Sequence, residues 1–154
     1  MRINLNPKRK GKIGELIAIR KLTELGFDVY DNIVDDKGID LIIRNEYKGK
    51  VKHKDIQVKY SRFYEKFDLY WFGVNKSTFQ PNEKLYFLFV IDENKIFIIP
   101  SLDLSRILER VRADKKGNWK ITVKLIDNWV IKSKRGKQDI NIDKYLNNFS
   151  QLKK

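Results

Sequence analysis

Apolar positions along this chain change their period several times, and each change marks an element. From Lys10–Ile13 to Leu25 they recur at helical spacing, and Gly26 follows as a C-terminal stop. Residues 1–10 ahead of that helix read as a basic leader containing Pro7, Lys8, Arg9 and Lys10. Phe27 to Asn32 reads as a short strand, Asp35-Asp36-Lys37-Gly38 as a turn, and Ile39 to Arg44 as an apolar strand. Asn45 to Lys54 is a polar connection with Gly49 and no periodicity. Asp55 to Tyr60 then alternates, with Ile56, Val58 and Tyr60 on one side and Asp55, Gln57 and Lys59 on the other.

Three further strands are predicted at Leu69–Val74, Leu85–Ile91 and Lys95–Ile99, the last two joined through Asp92-Glu93-Asn94. Pro100 ends that hairpin. Ser101 to Ala113 predicts a helix whose apolar face holds Leu102, Leu104, Ile107, Leu108 and Val111. A turn at Lys115–Asn118 precedes a strand at Trp119–Val123, and Asn128–Ile131 is a shorter one. Lys132 to Lys137 is a basic loop, and Ile142 to Leu152 predicts a terminal helix. No repeat, low-complexity tract or linker interrupts the pattern. It predicts one α/β domain across residues 1–154.

Charge narrows the partners. Lys and Arg number 33 against 20 acidic residues, a formal charge of +13. A polyanionic partner follows: nucleic acid first, an anionic membrane surface second. The alternative is a charge habit common to a lysine-rich proteome. The absence of cysteine excludes disulfides, thiol catalysis and cysteine zinc sites. His53 is the one histidine and reads as a solvated loop residue. No apolar run approaches the ~20 residues that span a bilayer. Met1-Arg2-Ile3-Asn4 lacks the apolar stretch of a signal peptide, so a cytoplasmic location is expected, with no membrane partner.

Against this background a split set of polar residues carries chemistry. Glu15 shares a helix face with Ile19 and Leu22, with Leu16 and Ala18 alongside. A carboxylate there is costly unless it is paired or binds a metal; the alternative is a rim position paired with a lysine. Asp40 follows Gly38-Ile39 and opens an apolar strand, either as a ligand or as a turn cap. Asp35 and Asp36 are rival ligands that look like turn residues. Gln57 and Lys59 project from one strand face, which is either a solvated edge or the floor of a cleft; Asp55 on that face is a reserve ligand. Together these groups suit phosphodiester hydrolysis assisted by Mg²⁺, with Mn²⁺ able to substitute. Asp40 would bind the metal directly, and Glu15 directly or through water. The Gln57 amide and the Val58 carbonyl would add oxygens. Lys59 would orient or deprotonate the attacking water.

Three segments carry a family resemblance. Lys10-Gly11-Lys12-Ile13-Gly14-Glu15 resembles the first-helix motif of the PD-(D/E)XK nuclease superfamily. Gly38-Ile39-Asp40-Leu41-Ile42 resembles its second-strand motif, and Ile56-Gln57-Val58-Lys59 its third-strand motif. The stretch Leu85 to Pro100 further resembles a subgroup that includes a bacterial intron-encoded homing endonuclease. The resemblance covers about residues 10–105 and leaves 106–154 as a C-terminal extension. It implies a restriction-endonuclease-like core, a mixed β-sheet flanked by helices, and a metal-dependent DNA endonuclease using Glu15, Asp40, Gln57 and Lys59. Gln57 stands where most members carry Glu or Asp, which removes one negative charge. A helix usually follows the third motif strand in the family, whereas here Leu69 to Val74 reads as another strand.

Candidate DNA phosphate contacts are Lys8, Arg9, Lys10 and Lys12, then Ser61 and Arg62 after Lys59, then Lys132, Lys134, Arg135 and Lys137. Tyr64, Tyr70 and Trp71 either stack on bases or pack in the core. Two alternatives stand beside the endonuclease reading: a Holliday junction or other structure-selective nuclease, and a nuclease-like fold that binds DNA without cutting it. Cutting both strands needs two sites, so a homodimer or higher symmetric oligomer is expected.

Overall fold

A computed structural model of the chain describes residues 4–33 and 37–154. Its first helix, α1, spans Pro7–Glu24 and begins earlier than the apolar period predicts. The reason is local: the Asn6 side chain accepts a hydrogen bond from Arg9 N at 3.0 Å, and Pro7 sits in the first turn. Lys8, Arg9 and Lys10 are therefore helical and not part of a leader. The buried stripe of α1 is Gly14, Ala18 and Leu22. Leu16, expected beside Glu15 on an apolar face, is exposed instead.

The strands in chain order are β1 (Asp28–Asp31), β2 (Leu41–Tyr47), β3 (Lys50–Tyr60), β4 (Tyr70–Val74), β5 (Leu85–Asp92), β6 (Lys95–Pro100), β7 (Trp119–Leu125), β8 (Trp129–Ile131) and β9 (Ile140–Asn141). A second helix, α2, spans Ser101–Leu108. One sheet has the order β1-β2-β3-β5-β6 and the other β4-β7-β8-β9. In the first sheet β3 and β5 run parallel and every other pair is antiparallel, so the sheet is mixed. β5 lies between β3 and β6 and is almost wholly buried, which its unbroken apolar run Leu85–Ile91 requires.

Each face of the first sheet has its own core. Ile56, Val58, Leu88, Val90, Ile96 and Ile98 pack with Ala18 and Leu22 of α1 and with Phe149 and Leu152. On the opposite face, Phe87, Phe89, Phe97 and Ile99 pack with Phe72, Ile121, Val123 and Ile131 of the second sheet and with Leu104 and Ile107 of α2. One face is thus helix-covered, and the other is covered mainly by a sheet.

Three expected elements differ. The polar stretch 45–54 is no connection: β2 and β3 pair through it and turn at Lys48-Gly49, both with positive φ. Its backbone ladder persists where the strands leave the core, so the alternation that signals a strand is lost. His53 lies on that exposed arm, within a strand. The expected helix 101–113 closes at Leu108, and Leu102 faces solvent. The expected terminal helix is two 3-10 turns, Asp143–Tyr145 and Phe149–Lys153, separated by Asn147 at φ 51°. Asn147 is held there: its N donates to Ile96 O at 2.7 Å and its Oδ1 accepts from Ile96 N at 3.1 Å. Of the expected turn at 35–38, Asp35 and Asp36 lie outside the described residues.

Gly14 sets the distance between α1 and β3. A Cβ at Gly14 would lie 2.5 Å from Tyr60 Cβ, whereas one at Gly11 would meet nothing within 4 Å. Gly14→Ala is expected to lower stability by about 1–3 kcal/mol through overpacking. Gly11→Ala is expected to be neutral or to stabilise by up to about 1 kcal/mol. Urea unfolding of both variants checks the contrast.

Candidate active site

The first sheet forks at Asp40. β2 begins at Leu41, which lies opposite Ile56, so beyond that pair β3 keeps β5 on one side and has no strand on its β2 side. Asp40 fills the gap. Its N donates to Ile56 O at 2.9 Å, its carbonyl accepts from Asn32 N at 3.0 Å, and its Oδ2 accepts from Val58 N at 2.6 Å. The side chain takes the place that the next ladder carbonyl would hold. Such a charge-assisted bond to a buried strand fixes the direction of the carboxylate. Asn32 reinforces the loop through Nδ2, which donates to Ile39 O at 2.7 Å.

The alternation read from the sequence holds along β3. Ile56 and Val58 enter the α1-side core, and Gln57 stands beside Phe87 on the other face. Gln57 is only 6% exposed, so this polar side is not a solvated edge. Asp55 is half-buried. Asp55 N and Ser61 N donate to carbonyls on the β5 side, whereas Ile56 O and Val58 N are turned toward Asp40. By strand alternation the Val58 carbonyl also points to the Asp40 side. Gly38 packs above this point: with φ at +71°, its added Cβ would sit 3.3 Å from Gln57 Nε2 and 3.2 Å from Thr78 Cβ. A side chain there would be strained by the backbone angle and would press on Gln57 and Thr78.

Glu15 projects from α1 at the rim of the buried stripe, and Lys12 Nζ donates to its Oε2 at 2.7 Å. The Lys12 pKa is raised first by this hydrogen bond, then by the Glu15 charge, with further attraction from Asp31 and Asp40. Among the described residues no group of three or more His, Asp or Glu side chains is placed to hold a metal. Of the candidate donors, Asp40 meets Val58 N and Glu15 meets Lys12; with the Gln57 amide and the Val58 carbonyl they are all hard oxygen ligands.

The expected DNA-contact residues fall into separate groups. Lys8, Arg9 and Lys10 crowd the first turn of α1, which has no acidic residue. Cations there oppose the helix dipole, and a bound phosphate would reverse that balance. Lys10 and Arg62 line one small cavity of about 120 Å³ with Tyr60. Ser61 is buried, and its Oγ accepts from Trp71 N at 2.9 Å, so it positions β4. Lys132, Lys134, Arg135 and Lys137 lie between β8 and β9, two strands away from β4 in the second sheet. Lys132 there is paired with Asp139.

Sequence reasoning did not single out Asn32, Thr78 or Lys120. Asn32 follows an unremarkable four-residue strand, and Lys120 sits in a run of alternating polar residues. Neither carries a signal until the chain is folded.

The backbone resembles one solved structure in particular, the bacterial homing endonuclease I-Ssp6803I. The match has a TM-score of 0.62 at 17% sequence identity, and covers 96% of this chain and 91% of that one. The chain has the restriction-endonuclease-like fold. No family model matches the chain, and no curated protein does. In this chain α1 packs on β3 of the mixed sheet, and β3 is followed by a loop and β4, as the sequence pattern predicts.

The Lys12–Glu15 pair yields a test of the site's field. Lys12 is expected to titrate above the usual lysine range, and Glu15→Gln to bring it back toward that range. Side-chain NMR titration reads both. The raised value means the pair stabilises the fold below the ordinary lysine pKa, and that support fades as pH rises through the folded value.

Proposed function

We propose that this chain is a Mg²⁺-dependent endonuclease acting on DNA. The observation that carries the reading is Asp40, held by Val58 N–H at the open end of β2 beside the strand that presents Gln57 and Lys59. The fold shared with a homing endonuclease and the charge of +13 support it. Among the described residues no helix is long and apolar enough to cross a membrane.

The donor set fits a hard cation. Asp40, Glu15, the Gln57 amide oxygen and the Val58 carbonyl are the residues that would hold it, and Mg²⁺ prefers such oxygens. A bound Mg²⁺ would offset charge on the scissile phosphate and lower the pKa of water. The protein's own work is positional. The Val58 N–H holds the Asp40 carboxylate in one direction, and Gln57 is buried with its amide close to Gly38. Lys59 would set its ammonium beside the phosphate, where it counters growing negative charge and can exchange a proton with the attacking water. The basic turn of α1 and Arg62 would grip flanking phosphates. A homodimer would supply the second site needed for both strands.

Two features favour a second reading, a nuclease fold that binds DNA without cutting it. Gln57 replaces a charged ligand with a neutral one, and Glu15 is already paired with Lys12. Both reduce the negative charge available to a cation. Metal dependence separates the readings.

Supercoiled plasmid is expected to be nicked with Mg²⁺ or Mn²⁺ and left intact in EDTA. Asp40→Ala and Lys59→Ala are each expected to slow cleavage by about 10²-fold or more while DNA binding persists. Tight binding with no cleavage of linear, supercoiled or four-way junction DNA would favour the non-cutting reading. Gln57→Glu is expected to tighten Mg²⁺ binding, read by calorimetry with no DNA present. Unchanged affinity would remove Gln57 from the ligand set.

A further inference from the structure

We infer that the loop joining β3 to β4, Ser61 to Leu69, is a wedge that enters DNA at a base step beside the cleavage centre. The inference rests on the DNA-cleaving reading and adds to it how the substrate is held. Four observations converge on this loop.

The loop presents large apolar rings to solvent. Phe63 is 44% exposed and Phe67 50% exposed. These rings are rigidly backed: Phe63 lies on Tyr70 with centroids 5.2 Å apart, and Phe67 on Trp71 at 5.5 Å. Tyr64 packs on the same indole at 4.5 Å.

The loop backbone is internally closed. Tyr64 N donates to Leu69 O at 2.9 Å, and Phe67 N to Tyr64 O at 3.0 Å. Ser61 Oγ donates to Arg62 O at 2.9 Å while accepting from Trp71 N at 2.9 Å. The rings therefore stand on a built platform.

Three cations lie over the rings, two of them balanced within the loop by Glu65 and Asp68, the latter 4.0 Å from Lys124. Arg62 lies over Tyr64 at 4.8 Å, Lys66 over Phe67 at 5.5 Å, and Lys120 over Trp71 at 3.7 Å. Lys120 reaches the indole because its cross-strand neighbour is Gly73, which has no side chain in the way. Half-exposed rings interleaved with positive charge match a ligand that is both stacked and polyanionic. That combination describes DNA bases with their phosphates. A protein surface would match the rings but would need carboxylates to answer the cations.

Position is the fourth observation. Phe63 comes four residues after Lys59 on the same chain segment, and Ser61 N continues the β3–β5 ladder to Val90 O at 3.3 Å. A rigid strand thus connects the proposed cleavage centre to the wedge. Phe63 and Phe67 would lie against bases, and Arg62 and Lys66 against the flanking phosphates.

A wedge must unstack a base step, so DNA in which that cost is already reduced binds more tightly. Wild-type chain is assayed by fluorescence anisotropy with Ca²⁺, which removes cleavage from the measurement. The probes are an intact duplex and the same duplex with a central mismatch. Wild type is expected to prefer the mismatched duplex several-fold. Phe63→Ala/Phe67→Ala is expected to lose that preference and about tenfold in affinity. Its salt dependence is expected to be unchanged, because the phosphate contacts remain. Thermal melting checks that the variant folds, and wild-type preference alone is a readout that needs no variant.

A wild type that binds both duplexes equally overturns the wedge and leaves the endonuclease reading standing. So does a folded variant that keeps the preference. A variant that only turns dimers into monomers, with unchanged affinity per chain, assigns the rings to contact between copies and also overturns the wedge. A wild type that binds no DNA overturns both readings.

Discussion

A single hydrogen bond, from Val58 N–H to the Asp40 carboxylate, organises the end of the first sheet where β2 stops and β3 continues. Without it β3 would carry an unsatisfied donor past the end of β2, and burial makes such a donor costly. Using an aspartate there satisfies the backbone and fixes a charged group in one orientation at the same time. The Asn32 contacts and the close seat of Gly38 on Gln57 hold the loop that delivers it. The site is therefore a product of sheet geometry, because the strand that ends is what makes room for a side chain.

The rest of the architecture keeps that strand rigid. α1 approaches β3 closely enough that Gly14 has no room for a methyl against Tyr60. The second sheet and α2 bury the other face around Phe87 and Phe89. β3 is thus clamped from both sides along the residues that carry Gln57 and Lys59, while its other end runs out into a solvent-exposed basic arm. Positive charge is concentrated on two surfaces, the first turn of α1 and the β2–β3 arm, while the loop between β3 and β4 balances Arg62 and Lys66 with Glu65 and Asp68. A chain of this charge gains from a polyanion wherever those surfaces can reach it together.

Much of this was open to reading from residues alone, and the exceptions share a cause. Helical and alternating periods report burial, so they located α1, β3, β5 and β6, whose faces are buried. They give no strand at Asn45–Lys54, a paired ribbon that is mostly exposed between Glu46 and His53. They overran at residues 109–113 and at Ile142–Leu152, where the backbone leaves the helix in response to packing. For the last of these, the deciding contact is Asn147 with Ile96, 51 residues away in sequence. The basic first turn of α1 is the opposite case: Asn6 and Pro7 are local start signals that begin the helix without an apolar period.

The sequence by itself determined the composition of the candidate site: which oxygens and which ammonium exist, in what order, and on which faces of their elements. Those properties follow from residue identity and local periodicity; the restriction-endonuclease-like fold was pointed to by the resemblance of three segments to a family's motifs. Only the tertiary structure decided that Glu15 sits at the rim with Lys12, that Gln57 is buried, and that Asp40 closes the fork. It also placed Lys132–Lys137 two strands from β4, and it left Phe63 and Phe67 exposed among cations. Each of those outcomes depends on contacts between segments distant in sequence, and no local pattern encodes which partner a side chain will meet.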